Sequence, residues 1–467
     1  MRDQRFYRID RADGGTEDTG RPAEDDGSPA ELEGKRPRMT EDQPSKAGNQ
    51  PSTAGTEPST AGSHAATKPL SGMRVIELSS FVASPLGGMT LAQLGADVIR
   101  VDPVGGGPDR YRWPLSPEGE SLYWAGLNKG KRSVTVDLRS EEGRSLVADL
   151  IESSGPSGGI VLTNAPERPL LGPEELRARR PDLIHAQLLG RSDGGTAVDY
   201  TVNASTGFPM LTGPAEHQGP VNHALPVWDI VCGLYLSNAL LAAERQRLLH
   251  GGGQQLRISL QDVALATAGN LGFLGEAQFG GQRPRIGNHL YGGFGRDFET
   301  ADHRHVMVLA LTPRHWQDLV RVTGTREVVD GLERAMGVDF KHDADRYRHR
   351  DVLAALFAPW FAARTYAEVE REMADTSVLW SPYRTFAEVA DDSATAEHPM
   401  MSYVDEKGVG TYLAPGAPAS FEGQWWSAEP APTIGAQTDD VHGEFLGLSR
   451  EALTDLQNRR IAGETDR

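Results

Sequence analysis

Short apolar runs that alternate with helical stretches constrain the fold of this chain more than any other feature. The runs MRVIEL, ADVIRVD, SVTVDL, GGIVLTN and DLIHAQL follow one another between Met73 and Leu188, each bounded by Gly or Asp. Strands of this kind, each followed by a helix, predict a parallel sheet covered by helices on both faces. We therefore expect an α/β fold with a Rossmann-like large lobe. The fingerprint GxGxxG does not follow the first strand in the sequence, so the pattern does not favour NAD.

Changes in composition divide the chain into four segments. Residues 1–69 are rich in Gly, Pro, Ser, Thr, Glu and Asp and contain PSTAG twice, which predicts a disordered low-complexity tail. The large α/β lobe is expected over 70–295 and a smaller α+β lobe over 296–400. The last segment, 401–467, is expected to return to the large lobe.

The charge balance and the cysteine count exclude several classes of function. Lys and Arg number 47 against 65 Asp and Glu, and the net charge of -18 would repel a phosphodiester backbone. Nucleic acid is therefore not an expected partner. Cys232 is the single cysteine, so no internal disulfide can form, and its apolar neighbours indicate a core thiol. The sequence has no uninterrupted apolar run of about 18 residues and no apolar signal segment near Met1, which predicts a cytoplasmic protein without a membrane partner.

Two histidines, His303 and His305, resemble a metal-binding pair. Alternation before a strand would place both on one exposed face without further ligands, so a surface position is the better interpretation and no metal is expected.

An acidic residue precedes the most apolar helical stretch of the chain. Val231 to Leu249 predicts a buried helix that ends before Gly251. Taken alone, Asp229 is best explained as the N-cap of this helix, although a helix N-terminus also keeps a carboxylate ionised and nucleophilic. Asp199 lies 30 residues upstream, and that spacing alone demands no site.

Three long segments link these features to a known family: SGMRVIELSSFVASPLGGMTLAQLGADVIRVDPVGGGPDRYR, NKGKRSVTVDLRSEEGRSLVADLI and WDIVCGLYLSNALLAAERQRLLHGGGQQLRISLQDVAL. In these segments the chain resembles the class III CoA-transferase family, to which formyl-CoA transferase belongs. The resemblance begins near Leu70. It implies an acyl-CoA substrate with no permanently bound cofactor, an interlocked homodimer, and Asp229 as the nucleophile with Asp199 as its upstream acidic partner.

The resemblance also assigns residues to the substrate. Val82 and Ala83 would line the acyl site, and Gly292 and Gly293 would give close backbone approach, with a simple turn between the lobes as the equal alternative for the glycines. Six residues would contact CoA, the last two near the pantetheine: Arg100, Lys129, Lys131, Arg132, Asn164 and Arg168.

One position separates the reactions known in this family. Racemases of the family carry a His before the upstream acid, whereas Val198 stands here and cannot exchange a proton. The segments GLNKGKRSVTVDLR, VNHALPVWDIV and GNHLYGGFGRDFETAD resemble the branch of the family that moves CoA between the two carboxyls of one mesaconate molecule. This resemblance implies a role in glyoxylate assimilation in the 3-hydroxypropionate cycle. Such a reaction implies an arginine that binds the idle carboxylate, which is the substrate carboxylate not joined to CoA. Arg191 and Arg296 are hypotheses for this role, and each is at least equally well explained as a structural ion-pair partner. An intermolecular CoA transferase and a non-catalytic acyl-CoA-binding relative remain as alternatives.

Overall fold

A parallel sheet of six strands forms the centre of the larger lobe. The computed structural model describes residues 67–463, so residues 1–66 of the predicted tail lie outside it. The strand order is β3-β2-β1-β4-β5-β6, and every neighbouring pair is parallel. The predicted α/β class is confirmed. The strands are β1 (Arg74–Leu78), β2 (Asp97–Asp102), β3 (Arg132–Thr135), β4 (Ile160–Thr163), β5 (Ile184–Leu189) and β6 (Gln254–Ser259).

Helices cover both faces of this sheet. Successive residues of one strand point to opposite faces, so Val75 packs in one apolar core and Ile76 in the other. The first core includes residues of α1, α7 and α8, and the second includes residues of α3 and α4. The helices of this part are α1 (Ala83–Gln93), α2 (Leu122–Leu127), α3 (Glu141–Glu152), α4 (Pro173–Arg179), α5 (Asp199–Ser205), α6 (Phe208–Leu211), α7 (Val227–His250), α8 (Leu260–Asn270) and α9 (Phe273–Gln278).

Helices α1 and α7 run side by side at very short distance. A Cβ built on Gly233 of α7 would lie 2.5 Å from the Ala83 carbonyl oxygen, and one on Gly87 of α1 would lie 3.0 Å from the Gly233 oxygen. One turn further along both helices, the Ser237 hydroxyl donates to the Gly87 carbonyl at 3.0 Å. The two helices are therefore parallel, and their N-termini meet at the same edge of the sheet.

Helix α7 differs from the predicted buried helix in length and in burial. It begins at Val227, four residues earlier than Val231, because Pro226 ends the preceding loop. Its Cys232 side is buried against the sheet, but the other side is exposed, with Tyr235 and Leu248 among the exposed apolar residues. Within residues 67–463, α7 is the one helix long and apolar enough to cross a membrane, and a core helix of a soluble protein passes the same test.

The smaller lobe is built on a three-stranded antiparallel sheet with its own core. Its strands are β7 (Phe294–Glu299), β8 (His305–Ala310) and β9 (Leu379–Pro382), in the order β7-β8-β9. Aromatic side chains fill the core between sheet and helices, and Phe298 stacks on Phe361 at 4.5 Å. The helices are α10 (Pro313–Val322), α11 (Arg326–Met336), α12 (Asp343–Arg348), α13 (Arg350–Ala362), α14 (Tyr366–Met373), α15 (Phe386–Ala390) and α16 (Ser393–Ala396).

The C-terminal segment packs on the large lobe along strand β3. It contains the hairpin β10 (Met401–Glu406) and β11 (Gly410–Pro415), then α17 (Thr438–Leu446) and α18 (Arg450–Asn458). The Ser133 amide donates to the Gln437 side-chain oxygen at 2.8 Å, and the Thr135 amide donates to the Thr438 hydroxyl at 3.1 Å. These bonds satisfy the amides of the edge strand.

Candidate functional site

The Asp229 side chain does not cap the helix that carries it. Asp229 is the third residue of α7, and the helix start takes no cap from its own N-cap residue. The capping oxygen comes from Asp199, whose Oδ2 accepts from the backbone amides of Trp228 at 2.6 Å and Asp229 at 3.2 Å. The interpretation of Asp229 as an N-cap is therefore wrong. Because Asp199 supplies this function, the Asp229 carboxylate is available for chemistry.

Helix α5 brings Asp199 to this position. Asp199 is the first residue of α5 and is almost completely buried. One turn later, the Asn203 side-chain oxygen accepts from the Trp228 indole at 3.1 Å, so α5 and the start of α7 are joined twice. His223 approaches the other oxygen of Asp199, with Nε2 3.4 Å from Oδ1.

The site raises the pKa of Asp229 to about 6, in contrast to the expectation that a helix N-terminus would hold it low. Burial of the carboxyl is the largest cause, the negative charge of Asp199 adds to it, and the positive charge of Arg112 opposes both. At pH 7 a carboxyl with this pKa is still about nine-tenths ionised. It is also more basic than an ordinary aspartate, which favours nucleophilic attack.

The loop between β1 and α1 lies at the same edge as Asp229. Val82 is the N-cap residue of α1 and gives no side-chain cap to the first amides, and the hydroxyl of the buried Ser84 has no hydrogen-bond partner among the described residues. Since α1 is parallel to α7 and Asp229 precedes Gly233 by one turn, this uncapped N-terminus faces the side of α7 that carries Asp229. Val82 and Ala83, predicted to line the acyl site, are both buried here.

Two of the predicted CoA ligands are enclosed in a buried ion network. The Arg100 guanidinium is fully buried and donates to Asp102, Asp109, Asn128 and the Ser79 carbonyl. Lys131 is buried beside Glu77, with the two charged atoms 2.8 Å apart, and burial lowers its pKa to about 8. With these donors already occupied, the geometry does not support direct phosphate contact for either residue.

Lys129 and Arg132 also have partners inside the protein. Burial of Lys129 lowers its pKa to about 8, against the influence of Glu406. Arg132 bridges Asp97 and Glu444, both at 2.7 Å. Lys129 donates to the Gly126 carbonyl of α2, whereas Arg132 attaches α17 of the C-terminal segment to the sheet.

Asn164 and Arg168 occupy the point where the strand order of the sheet reverses, between β1 and β4. Crevices at such points bind ligands in open α/β sheets. Asn164 fixes the β1–α1 loop by accepting from the Ser80 amide at 3.0 Å and donating to the Ser80 carbonyl at 2.8 Å. Arg168 is exposed and lines a small cavity with His185 and Gln187, where His185 Nδ1 and the Gln187 side-chain oxygen lack partners among the described residues.

The remaining predicted residues lie away from this cluster. Gly292 and Gly293 lie in the loop that leads into β7, where Tyr291 packs on Tyr347 with ring centroids 5.2 Å apart. Arg191 is exposed and pairs with Asp193 at 2.7 Å, and Arg296 lies 3.9 Å from Asp297. The structure brings none of these four into contact with Asp229. His303 and His305 lie on the surface, each beside one carboxylate, at 2.7 Å from Glu299 and 3.0 Å from Asp297 respectively.

Sequence reasoning missed two residues near Asp229. Arg112 directly follows the 3-10 turn Pro108–Tyr111, and its guanidinium lies over the rings of Tyr123 and Phe81. Phe81 has a positive φ of 68°, which is uncommon for a non-glycine residue and often marks a functional loop. The cluster RYRW, which combines basic and aromatic residues, is a sequence signal that could have indicated Arg112 as a candidate. The relationship of Arg112 to Asp229 is visible only in the fold.

Comparison with known proteins agrees with this arrangement. The sequence profile of CoA-transferase family III matches residues 70–438. The chain belongs to CoA-transferase family III. The predicted resemblance is confirmed, and it extends over both lobes.

Individual members of family III are similar over nearly their whole length. The 2-methylfumaryl-CoA isomerase of Chloroflexus aurantiacus is 48% identical over 403 residues, which is 85% of this chain and 98% of that protein. The succinyl-CoA–D-citramalate CoA-transferase of the same organism is 28% identical over 84% of this chain and 98% of its own length. Among solved structures, a CAIB/BAIF family protein from Brucella suis superposes with a TM-score of 0.68 at 26% identity and covers 81% of this chain and all of the other.

Proposed function

We propose that this family III enzyme moves coenzyme A between the C1 and C4 carboxyls of one mesaconate molecule, converting 2-methylfumaryl-CoA into 3-methylfumaryl-CoA. The observation that carries the proposal is the 48% identity with the 2-methylfumaryl-CoA isomerase of Chloroflexus aurantiacus over 98% of that enzyme. The free, half-buried carboxylate of Asp229 is the group that would perform the transfer.

The first half of the reaction transfers CoA to the enzyme. An Asp229 oxygen attacks the C1 thioester carbonyl, the C–S bond breaks, and CoA thiolate leaves behind a mixed anhydride of Asp229 and mesaconate. The thiolate then attacks the Asp229 carbonyl, which forms an aspartyl-CoA thioester and frees mesaconate as a dicarboxylate.

The second half repeats these steps in reverse order with the other carboxyl. The C4 carboxylate of the retained mesaconate attacks the aspartyl thioester and expels CoA thiolate. The thiolate attacks the C4 carbonyl of the new anhydride, which releases the product thioester and restores the Asp229 carboxylate. One acyl–oxygen or acyl–sulfur bond replaces another at each step, so the cycle balances without a further reactant.

Backbone amides at the start of α1 would stabilise the tetrahedral oxyanions of these steps. The first helical turn begins at Ala83, has no side-chain cap among the described residues, and lies on the side of α7 that carries Asp229. Backbone amides fixed at a helix N-terminus can donate hydrogen bonds to such an oxyanion without reorganising.

The phosphates and pantetheine of CoA would bind at the switch point of the sheet. Arg168 is exposed there, and Asn164 holds the adjoining loop through Ser80. Arg100 and Lys131 would act indirectly, by fixing the same loop from below, since Arg100 donates to the Ser79 carbonyl at 3.1 Å.

A second copy of the chain would cover the exposed apolar side of α7, α8 and α9. Patches of this kind on an enzyme surface mark interfaces. Phe279 is 95% exposed and Leu271 is 63% exposed. The double variant Phe279→Glu/Leu271→Glu is expected to shift the protein from dimer to monomer in light scattering, and a wild-type protein that is monomeric at micromolar concentration would contradict this part of the proposal.

Isotope transfer tests the intramolecular reaction. Purified protein is incubated with 2-methylfumaryl-CoA in the presence of ¹³C-labelled free mesaconate, and the product thioester is analysed by mass spectrometry. Product without label supports intramolecular transfer, whereas label that enters the thioester as fast as isomerisation shows an intermolecular CoA transferase. Asp229→Ala is expected to lower kcat by at least about 10³-fold, and its melting temperature serves as the control for folding.

The contact between His223 and Asp199 supports a second candidate, proton transfer at an α-carbon. Val198 still lacks a transferable proton, but the His223 ring reaches the same carboxylate from another segment. Incubation of a 2-methylacyl-CoA in D₂O decides between the two, because proton transfer would incorporate deuterium and CoA transfer would not.

A further inference from the structure

The proposed reaction leaves one carboxylate of the substrate without a partner at every stage. A dicarboxylate held in a half-buried site needs a positive group for its idle end, because an unpaired buried charge is costly. Arg191 and Arg296, the residues suggested by sequence, already lie beside Asp193 and Asp297. A guanidinium without an internal carboxylate partner would serve this purpose better.

Arg112 meets this requirement. Its guanidinium carbon lies 4.6 Å from the centre of the Tyr123 ring and 5.4 Å from that of Phe81. Among residues 67–463 its side chain makes no ion pair or hydrogen bond. Contact with aromatic rings engages the faces of a guanidinium and leaves its N–H edge open for a carboxylate.

The fold places Arg112 close to the nucleophile. Phe81 directly precedes Val82, at the N-terminus of α1 that faces Asp229. The charge of Arg112 reaches Asp229, where it lowers the pKa against the effects of burial and Asp199.

A buried network holds this arrangement in place. Asp109 accepts from the Phe81 amide at 2.8 Å through one oxygen and from Arg100 at 2.7 Å through the other. Asp109 also belongs to the 3-10 turn that ends immediately before Arg112. The loop that carries Phe81 and the turn that carries Arg112 are therefore tied to one carboxylate, which accounts for the left-handed conformation of Phe81.

We infer that Arg112 binds the idle carboxylate of a dicarboxylyl-CoA substrate and thereby selects dicarboxylates over monocarboxylates. The inference rests on the proposed function for the identity of the diacid, but its geometry applies to any short dicarboxylyl-CoA. After the first half of the reaction, Arg112 releases the C4 carboxylate of the retained diacid, which attacks next, and binds the C1 carboxylate. Retention of the free diacid near Asp229 follows from this contact.

The inference is tested by comparing two substrates in the Arg112→Gln variant. Its KM for 2-methylfumaryl-CoA is expected to rise roughly 10- to 100-fold, in line with loss of a charge-assisted hydrogen-bonded pair. Its rate of Asp229 adduct formation with crotonyl-CoA, which has no second carboxylate, is expected to stay within about twofold of the wild type, as followed by hydroxylamine trapping and mass spectrometry.

Neighbouring and conservative variants control the experiment. Arg110→Gln removes the adjacent arginine, which donates to the Gly105 carbonyl, and should leave both substrates unaffected. Arg112→Lys should recover part of the preference for the dicarboxylate. Equal losses with both substrates in Arg112→Gln, or an unchanged KM for 2-methylfumaryl-CoA, would overturn the inference.

Failure of the proposed function gives a different result from failure of this inference. If the wild type does not isomerise 2-methylfumaryl-CoA, the same comparison is made with succinyl-CoA and butyryl-CoA adducts. Selective loss of the succinyl adduct in Arg112→Gln then supports the role of Arg112, and equal loss of both adducts rejects it.

Discussion

The Asp199 carboxylate accepts a hydrogen bond from the backbone amide of Asp229, with Oδ2 3.2 Å from the amide nitrogen. One acid thus holds the N-terminus of α7, while the other stays free on the same turn. The arrangement has an electrostatic consequence, because the negative charge of Asp199 helps to raise the pKa of Asp229 to about 6.

The pH dependence of activity follows from this pair. Protonated Asp229 cannot attack a thioester, so kcat/KM should fall about tenfold per pH unit below pH 6. Asp199→Asn removes the negative charge but keeps an oxygen acceptor for the amide, so the midpoint should move about one unit towards acid. Initial rates between about pH 4.5 and 8 measure the shift. An unchanged midpoint in Asp199→Asn would show that Asp199 does not set the pKa of Asp229.

Stability should depend on Asp229 in the opposite sense to activity. Its folded pKa of about 6 exceeds the ordinary value of 3.8, so its contribution to stability is fully present below about pH 4 and is lost as the pH rises through 6. Asp229→Asn has no such loss and should be more stable than the wild type at about pH 7.5, by on the order of 1 to 3 kcal/mol.

Urea unfolding at about pH 5 and at about pH 7.5 checks this prediction. The advantage of Asp229→Asn should be larger at the higher pH, and an advantage independent of pH would indicate a packing effect instead. The mass of the variant should be confirmed first, since deamidation of the introduced asparagine would restore the acid.

The contact between α1 and α7 should tolerate no added methyl group. In Gly233→Ala the new Cβ would lie 2.5 Å from the Ala83 carbonyl oxygen, which would force the helices apart. We expect a loss of about 1 to 3 kcal/mol in the free energy of unfolding, with a lower kcat because the α1 amides move away from Asp229. Gly331→Ala in α11 is the matched control, since its new Cβ would meet only an arginine side chain, at 4.0 Å. That variant should be neutral or slightly stabilised.

Sequence patterns predicted the parallel sheet well, because apolar runs that alternate with helical stretches are local features of the sequence and imply parallel strands joined by helices. The apolar runs from Met73 to Leu188 contain five of the six parallel strands, apart from the end residues Arg132 of β3 and Leu189 of β5. The start of α7 was predicted four residues late, although Pro226 marks it, and that error made Asp229 look like a cap.

Partners from distant segments could not be predicted in the same way. The acid that caps α7 lies on α5, and Arg112 reaches the site from the turn after β2. Resemblance to the family assigned Arg100 and Lys131 to the CoA site. Their burial beside Glu77, Asp102 and Asp109 is a property of the packed sheet and has no local signal in the sequence.

The contrast between Arg168 and Arg132 leads to a test of the CoA site. Both were predicted to contact CoA, but Arg168 is exposed at the switch point, whereas Arg132 bridges Asp97 and Glu444. If Arg168 binds a phosphate, Arg168→Ala should raise KM for the acyl-CoA about tenfold with little change in kcat, and the effect should shrink at high salt.

Arg177 provides the control, because it is an exposed arginine on α4 close in sequence to Arg168, and Arg177→Ala should leave KM unchanged. Arg132→Ala should lower the melting temperature by about 1 °C while KM stays constant, since its partly exposed ion pairs contribute about 1 kcal/mol at most. A rise in KM for Arg132→Ala that matches the rise for Arg168→Ala would mean that the bridges to Asp97 and Glu444 open when CoA binds. The CoA site would then extend from the switch point across β1 and β2 to the sheet edge at β3.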